Sequence, residues 1–355
     1  MHARRVVLLS LLSLACERSS RASAETGSGD ESVSLNGAGA TFPYPLYSKW
    51  ISEYNRLHPN VRINYQSIGS GGGIRQMVAG TVDFGATDAP VKPGEALAAP
   101  GALLHLPTTV GSVVITYNLE GVDRPLRLTP ELLSGIFLGE IKRWNHPELA
   151  AANLELKLPD REISVVFRTD GSGTTSVFTA YLAEASRAFR DRVGSGKSVK
   201  WPVGLGAKGN EGVTGQIKTM PGSIGYTELA YATQNRMPKA EVRNRAGRFI
   251  GPTPQAATAA ARSVSMPDTL HVSLAGAEGE SAYPISSYTY ILIYESAKDA
   301  KRGEALARFL WWAIHDGQGY AEALDYAPLP ANVVEQAEAK LLTLRAGGKK
   351  LLDGV

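Results

Sequence analysis

Apolar and polar positions change period repeatedly along the chain. Residues 6–15 form a ten-residue apolar run behind the positive segment His2-Ala3-Arg4-Arg5. A run that short does not span a bilayer but suits the core of an export signal. A polar stretch at 17–32 follows, and no later segment approaches 18 apolar residues, so no transmembrane helix is expected. Ordered structure is expected from Val33, with a short strand running into the Gly-rich turn that ends at Phe42. Pro43 and Pro45 open a helix, because a first-turn N–H has no helical partner to lose. Leu46, Tyr47, Trp50, Ile51, Tyr54 and Leu57 share one face at 3.6-residue spacing. Val61, Ile63 and Tyr65 alternate as a strand. A glycine loop at 69–73 then leads to a helix carrying Ile74, Met77 and Val78. The strand at 82–86 delivers Asp88 at its end. Residues 103–118 read as a crossover broken at Gly111. Thr129-Pro130-Glu131 starts a helix bearing Leu132, Leu133, Ile136 and Phe137. Further strands are expected at 163–167, 223–226 and 288–294, and helices at 174–182 and 305–314. Strand, loop and helix in alternation indicate the α/β class.

Composition narrows the classes. Of 355 residues, 43% are apolar and 20% charged, which excludes a wholly disordered chain. The net charge is +3, but Arg4, Arg5, Arg18 and Arg21, less Glu17, account for it; the remainder is near neutral. A nucleic-acid partner needs a basic stripe, and the net charge gives no hint of one. Cys16 is the only cysteine, so no intramolecular disulfide forms. It sits in Leu12-Ser13-Leu14-Ala15-Cys16, which resembles a bacterial lipobox with Ser13 where Leu is usual. Cleavage at Ala22-Ser23-Ala24 is the alternative. The tether-like 17–32 stretch favours lipidation of Cys16, and either reading exports the chain.

Three segments share one design. Ala40-Thr41-Phe42, Ser70-Gly71-Gly72-Gly73 and Ser172-Gly173-Thr174 each join a strand end to a helix start through small or hydroxyl residues. A helix N-terminus presents free N–H groups and partial positive charge, so three converging on one cleft would form an anion site. Each alone could simply cap its own helix. Arg168 adds a bidentate cation with Asp170 two residues on, or the two form an ordinary surface pair. Asp88 has the wrong charge for an anion site, and a turn or capping residue is its plain reading. Asp191 stands where a P-loop needs its first Gly, and no Gly-x-Ser-x-Gly elbow surrounds Ser70 or Ser172. The six His residues lack metal-ligand spacing, so no metal is expected.

These segments resemble the phosphate-binding protein family of the bacterial Pst ABC transporter. The resemblance is carried by 35–43, 68–73, 81–90 and 170–174. Lys200-Trp201-Pro202, Pro221-Gly222-Ser223-Ile224-Gly225-Tyr226, 282–287 and 324–330 extend it over nearly the whole mature chain. It implies a two-lobed, hinged periplasmic-binding-protein fold of type II with mixed sheets. After a 1–24 signal or tether, lobe I would comprise 33–110 with 284–355, and lobe II 111–283. It implies phosphate bound by Thr41, Phe42, Ser70, Asp88, Arg168, Ser172, Gly173 and Thr174, with Asp170 orienting Arg168. Gly71, where the family often has Ser, is a departure beside the site. Asp88 then acquires a role: phosphate keeps a proton that a buried acceptor can read, and sulfate does not. Sites built so can discriminate by about 10⁴–10⁵. The chain would be a monomeric, non-enzymatic receptor, without cofactor, delivering phosphate to permease subunits. A binder of sulfate or molybdate, or a secreted phosphate-ester hydrolase, are the alternatives.

Overall fold

The computed structural model describes residues 32–352, so Cys16, the Ala22-Ser23-Ala24 site and nearly all of the tether lie outside the described residues. Eight strands form one mixed sheet: β1 (Val33–Gly39), β2 (Val61–Ser67), β3 (Phe84–Thr87), β4 (Leu103–Tyr117), β5 (Ser164–Arg168), β6 (Leu205–Ala207), β7 (Ser223–Glu228) and β8 (Ser286–Tyr294). Their order is β2-β1-β3-β8-β4-β7-β5-β6. β1 pairs parallel with β2 and β3, and β5 pairs parallel with β6 and β7. The central pairs β3–β8, β8–β4 and β4–β7 are antiparallel. The expected α/β class is therefore observed.

β4 connects the two ends of this sheet. Residues 103–112 lie against β8, and 113–117 lie against β7. It continues through Gly111, where a break was expected. A Cβ at Gly111 would stand 2.6 Å from the Phe42 ring, so this glycine admits an aromatic packed against the strand.

The helices that matter to the site are α1 (Tyr44–Leu57), α2 (Ser70–Ala79), α3 (Pro93–Leu97), α4 (Pro130–Phe137), α5 (Gly173–Ala185), α6 (Gly209–Thr219), α7 (Leu229–Gln234) and α8 (Ala300–Ile314). α1 buries Leu46, Tyr47, Trp50 and Tyr54 as its spacing predicts, but Leu57, its last residue, is exposed. The Thr129 hydroxyl accepts from Leu132 N–H, the expected cap of α4. Gly71, Gly72 and Gly73 are the first turn of α2 rather than a loop. A Cβ at Gly73 would lie 2.6 Å from the Ala38 carbonyl oxygen, so this glycine lets α2 rest directly on the backbone of β1. The helix thereby begins at the C-terminal ends of β1 and β3, where crevices of open parallel sheets bind ligands.

Candidate anion-binding site

The three predicted helix starts converge. Ser70, at the N-terminus of α2, and Gly173, at that of α5, meet directly: the Gly173 N–H donates to Ser70 Oγ at 3.1 Å. The Gly71 N–H donates to the Gly171 carbonyl at 2.8 Å. A Cβ on either glycine would stand 3.1 Å from the other's Cα, which gives the glycine at 71 a physical role. Thr41 joins through Asn210 on α6, whose Nδ2 donates to Thr41 Oγ1 at 2.9 Å and to Thr174 Oγ1 at 3.3 Å. The Phe42 carbonyl accepts from the Tyr326 hydroxyl at 2.7 Å.

Asp88 leaves β3 into this cluster and is 3% exposed. Its Oδ1 accepts from the Thr289 hydroxyl at 2.8 Å, and its Oδ2 from Ser70 Oγ at 3.3 Å. Burial pushes its carboxyl up to about 7, against the bonds from Thr289 and Ser70 and the charge of Arg168. A carboxyl raised above its unfolded value contributes stability that is complete below about 4 and lost as pH rises through about 7.

Arg168 comes from the end of β5 with its side chain 1% exposed. Nε donates to Asp170 Oδ1 at 2.8 Å and Nη2 to Oδ2 at 2.5 Å, a bidentate pair, while Nη1 reaches Thr174 Oγ1 at 3.3 Å. Burial opposes ionisation of Asp170. The bonds from Arg168 and the Gly209 N–H outweigh it, and the carboxyl stays below the usual carboxylate range. The surface-pair alternative for Arg168 and Asp170 is thus excluded. Ser172 caps α5: its Oγ accepts from Thr175 N–H at 3.0 Å, and its N–H donates to the Lys197 carbonyl at 2.8 Å. What Ser172 can offer an anion is its hydroxyl proton. The result is one buried guanidinium, hydroxyls and helix N-termini gathered around one carboxylate with a raised pKa.

Residues 22–316 match the model of the PBP superfamily domain. Over 312 residues the chain is 44% identical to the phosphate-binding protein PstS of Xylella fastidiosa, covering 87% of this chain and 85% of that protein. The PstS proteins of Pasteurella multocida and Methanocaldococcus jannaschii are 42% and 36% identical, over 88% and 85% of this chain and 91% and 84% of theirs. The chain belongs to the PstS family. A solved phosphate-binding protein from Stenotrophomonas maltophilia superposes with a TM-score of 0.67 at 20% identity, covering 87% of this chain and 94% of that one. A phosphate ABC transporter substrate-binding protein from Clostridium perfringens, solved with bound phosphate, gives 0.62 at 17%, covering 84% and 100%. These likenesses establish the periplasmic-binding-protein fold.

Every described residue expected to bind or orient the anion borders the cluster, and several partners were not foreseen. Asn210 opens a fourth helix at the site, behind Gly209 with φ of +74°. Lys208-Gly209-Asn210 before Val213 and Ile217 was the signal for it. Thr289 is one of many buried strand threonines, and nothing local distinguishes it. Tyr231 and Tyr326 hold the Thr41 and Phe42 carbonyls from 190 and 284 residues away.

Proposed function

We propose that this chain is an exported receptor that captures inorganic phosphate between two lobes and delivers it to the permease of an ABC importer. The observation that carries the reading is Asp88. A site of helix N-termini and one buried guanidinium favours anions generally. A carboxylate in its centre favours an anion that still holds a proton. Thr41 and Phe42 N–H groups, Ser70, Arg168, Ser172, Gly173 and Thr174 would donate to phosphate oxygens, and Asp88 would accept the P–O–H.

The lobes would be 33–110 with 284–355, and 111–283. β4 passing from β8 to β7 supports that division, as do the contacts Gly71–Gly171 and Ser70–Gly173 across it. Hinge opening between them would admit the ligand, and closure would exclude water and strengthen every dipole on it. Capture without turnover fits Ser172, whose oxygen accepts from the Thr175 N–H as a cap while its proton stays free to donate to the anion. No described helix is long and apolar enough to cross a membrane. We place the chain, as a monomer, either free in the periplasm after cleavage at Ala22-Ser23-Ala24 or on the outer face of the cell membrane through a lipid on Cys16.

Isothermal titration of the phosphate-stripped protein with phosphate and sulfate at pH 7–8 tests the reading. One-to-one phosphate binding without sulfate heat is expected, and Asp88→Asn should lose much of that discrimination. Equal sulfate binding by the wild type would favour the general oxyanion binder instead.

A further inference from the structure

β4 and β8 slip register beside the site. Thr289 stands opposite Thr109 and Tyr290 opposite Pro107, so Thr108 is an extra residue in β4. Pro107 has no N–H for the ladder, which suits an irregular position, and bulges re-aim neighbouring side chains. The Thr108 hydroxyl donates to the Thr289 carbonyl at 3.1 Å and lies 2.7 Å from the Tyr47 hydroxyl. The Thr289 backbone is thus held on one side while its buried hydroxyl donates to Asp88 Oδ1. Asp88 Oδ2 points the other way, towards Ser70 and to within 2.3 Å of where a Gly173 Cβ would stand.

We propose that Thr289 is a positioning residue for anion selection: by holding Oδ1 it turns Oδ2 alone to the ligand and keeps Asp88 an acceptor. This rests on the phosphate reading above. A hydroxyl donating to a carboxylate favours the charged form. Burial raises Asp88, and the Thr289 bond is the largest effect opposing it, ahead of Arg168. Without the hydroxyl, Asp88 stays protonated to higher pH. A protonated Asp88 is a donor, and a donor serves sulfate as readily as phosphate. The other groups facing Asp88 are Arg168 on β5, Tyr47 on α1, Tyr65 on β2, Tyr290 on β8 and Tyr326. Burial pushes all four phenols above their ordinary value, so none of them ionises below pH 9. Phosphate's own titration is common to every variant and cancels in their ratios.

The test is titration of the full chain with phosphate and with sulfate from pH 5.5 to 8.5, for wild type, Thr289→Val and Thr289→Ser. Thr289→Val should bind phosphate about tenfold or more weakly at pH 8. That deficit should shrink towards pH 5.5, and the phosphate-to-sulfate preference should fall near pH 7. Thr289→Ser should restore the wild-type profile. If valine does not melt cooperatively, Thr289→Ala removes the same hydroxyl and is read the same way. A valine variant with unchanged preference, or a deficit equal at all pH values, overturns the proposal. So does a serine variant that behaves like valine. A wild type that binds no phosphate would instead overturn the reading of the site itself.

Discussion

A single hydrogen atom decides what can happen at Gly173. A Cβ there would stand 2.3 Å from Asp88 Oδ2 and 2.5 Å from Ser70 Oγ. Thr289 holds the same carboxylate through Oδ1, and Ser70 Oγ donates to Oδ2, so neither atom can yield cheaply. Gly173→Ala should therefore weaken phosphate binding by roughly 10- to 100-fold, the scale of about 1–3 kcal/mol for overpacking. Calorimetry beside a circular dichroism spectrum checks it; wild-type affinity would mean that α2 and α5 do not approach this closely when ligand is bound. Arg168 shows the same dependence on surroundings. Its type suited a cation over an anion, but the bidentate grip of Asp170 and the near-complete burial make it a fixed charge rather than a mobile surface group.

At the scale of elements, α5 depends on the residue that caps it. Ser172 is fully buried and satisfies the Thr175 N–H, an orphan donor of the first turn. Ser172→Ala should cost the ligand-free protein about 1 kcal/mol, which a chain of this size registers as about 2 °C in melting temperature. A thermal melt would show it, and an unchanged melting temperature would mean that water replaces the cap. α2 illustrates the limit of local reading. Three glycines in a row suggest a loop by propensity. Tertiary packing overrides that, since only glycine lets the helix lie on β1 and present its N-terminus at the crevice.

At the scale of the whole molecule, an ion pair among the described residues joins the two proposed lobes away from the ligand groups. Lys197 Nζ donates to Glu95 Oε2 at 2.9 Å, with the lysine side chain 12% exposed. Its carbonyl holds the Ser172 N–H, and the Gly196 N–H donates to Thr179 Oγ1 on α5, so the pair ties α5 to α3. Half-exposed pairs contribute up to about 1 kcal/mol, so Lys197→Met should speed phosphate release by about threefold to fivefold with little change in association. The effect should shrink at high salt. Stopped-flow release kinetics decide it, and an unchanged rate in Lys197→Met and Glu95→Gln alike would deny the pair any part in closure.

The α/β class, the strands β1, β2 and β8, the caps of α4 and α5 and the residues bordering the site were legible along the chain. Each leaves a signature within a few residues: alternation, 3.6-residue spacing, a hydroxyl before a helix, a glycine where backbones approach. Family-specific runs such as those at 35–43 and 81–90 added which anion to expect. Only the tertiary structure decided that β4 runs unbroken past Gly111, that Asn210 bridges Thr41 and Thr174, and that Thr289 holds Asp88. Those facts join residues up to 201 positions apart through sheet register and burial. A carboxylate's raised pKa likewise comes from the water that folding removes around it, and no local pattern records that.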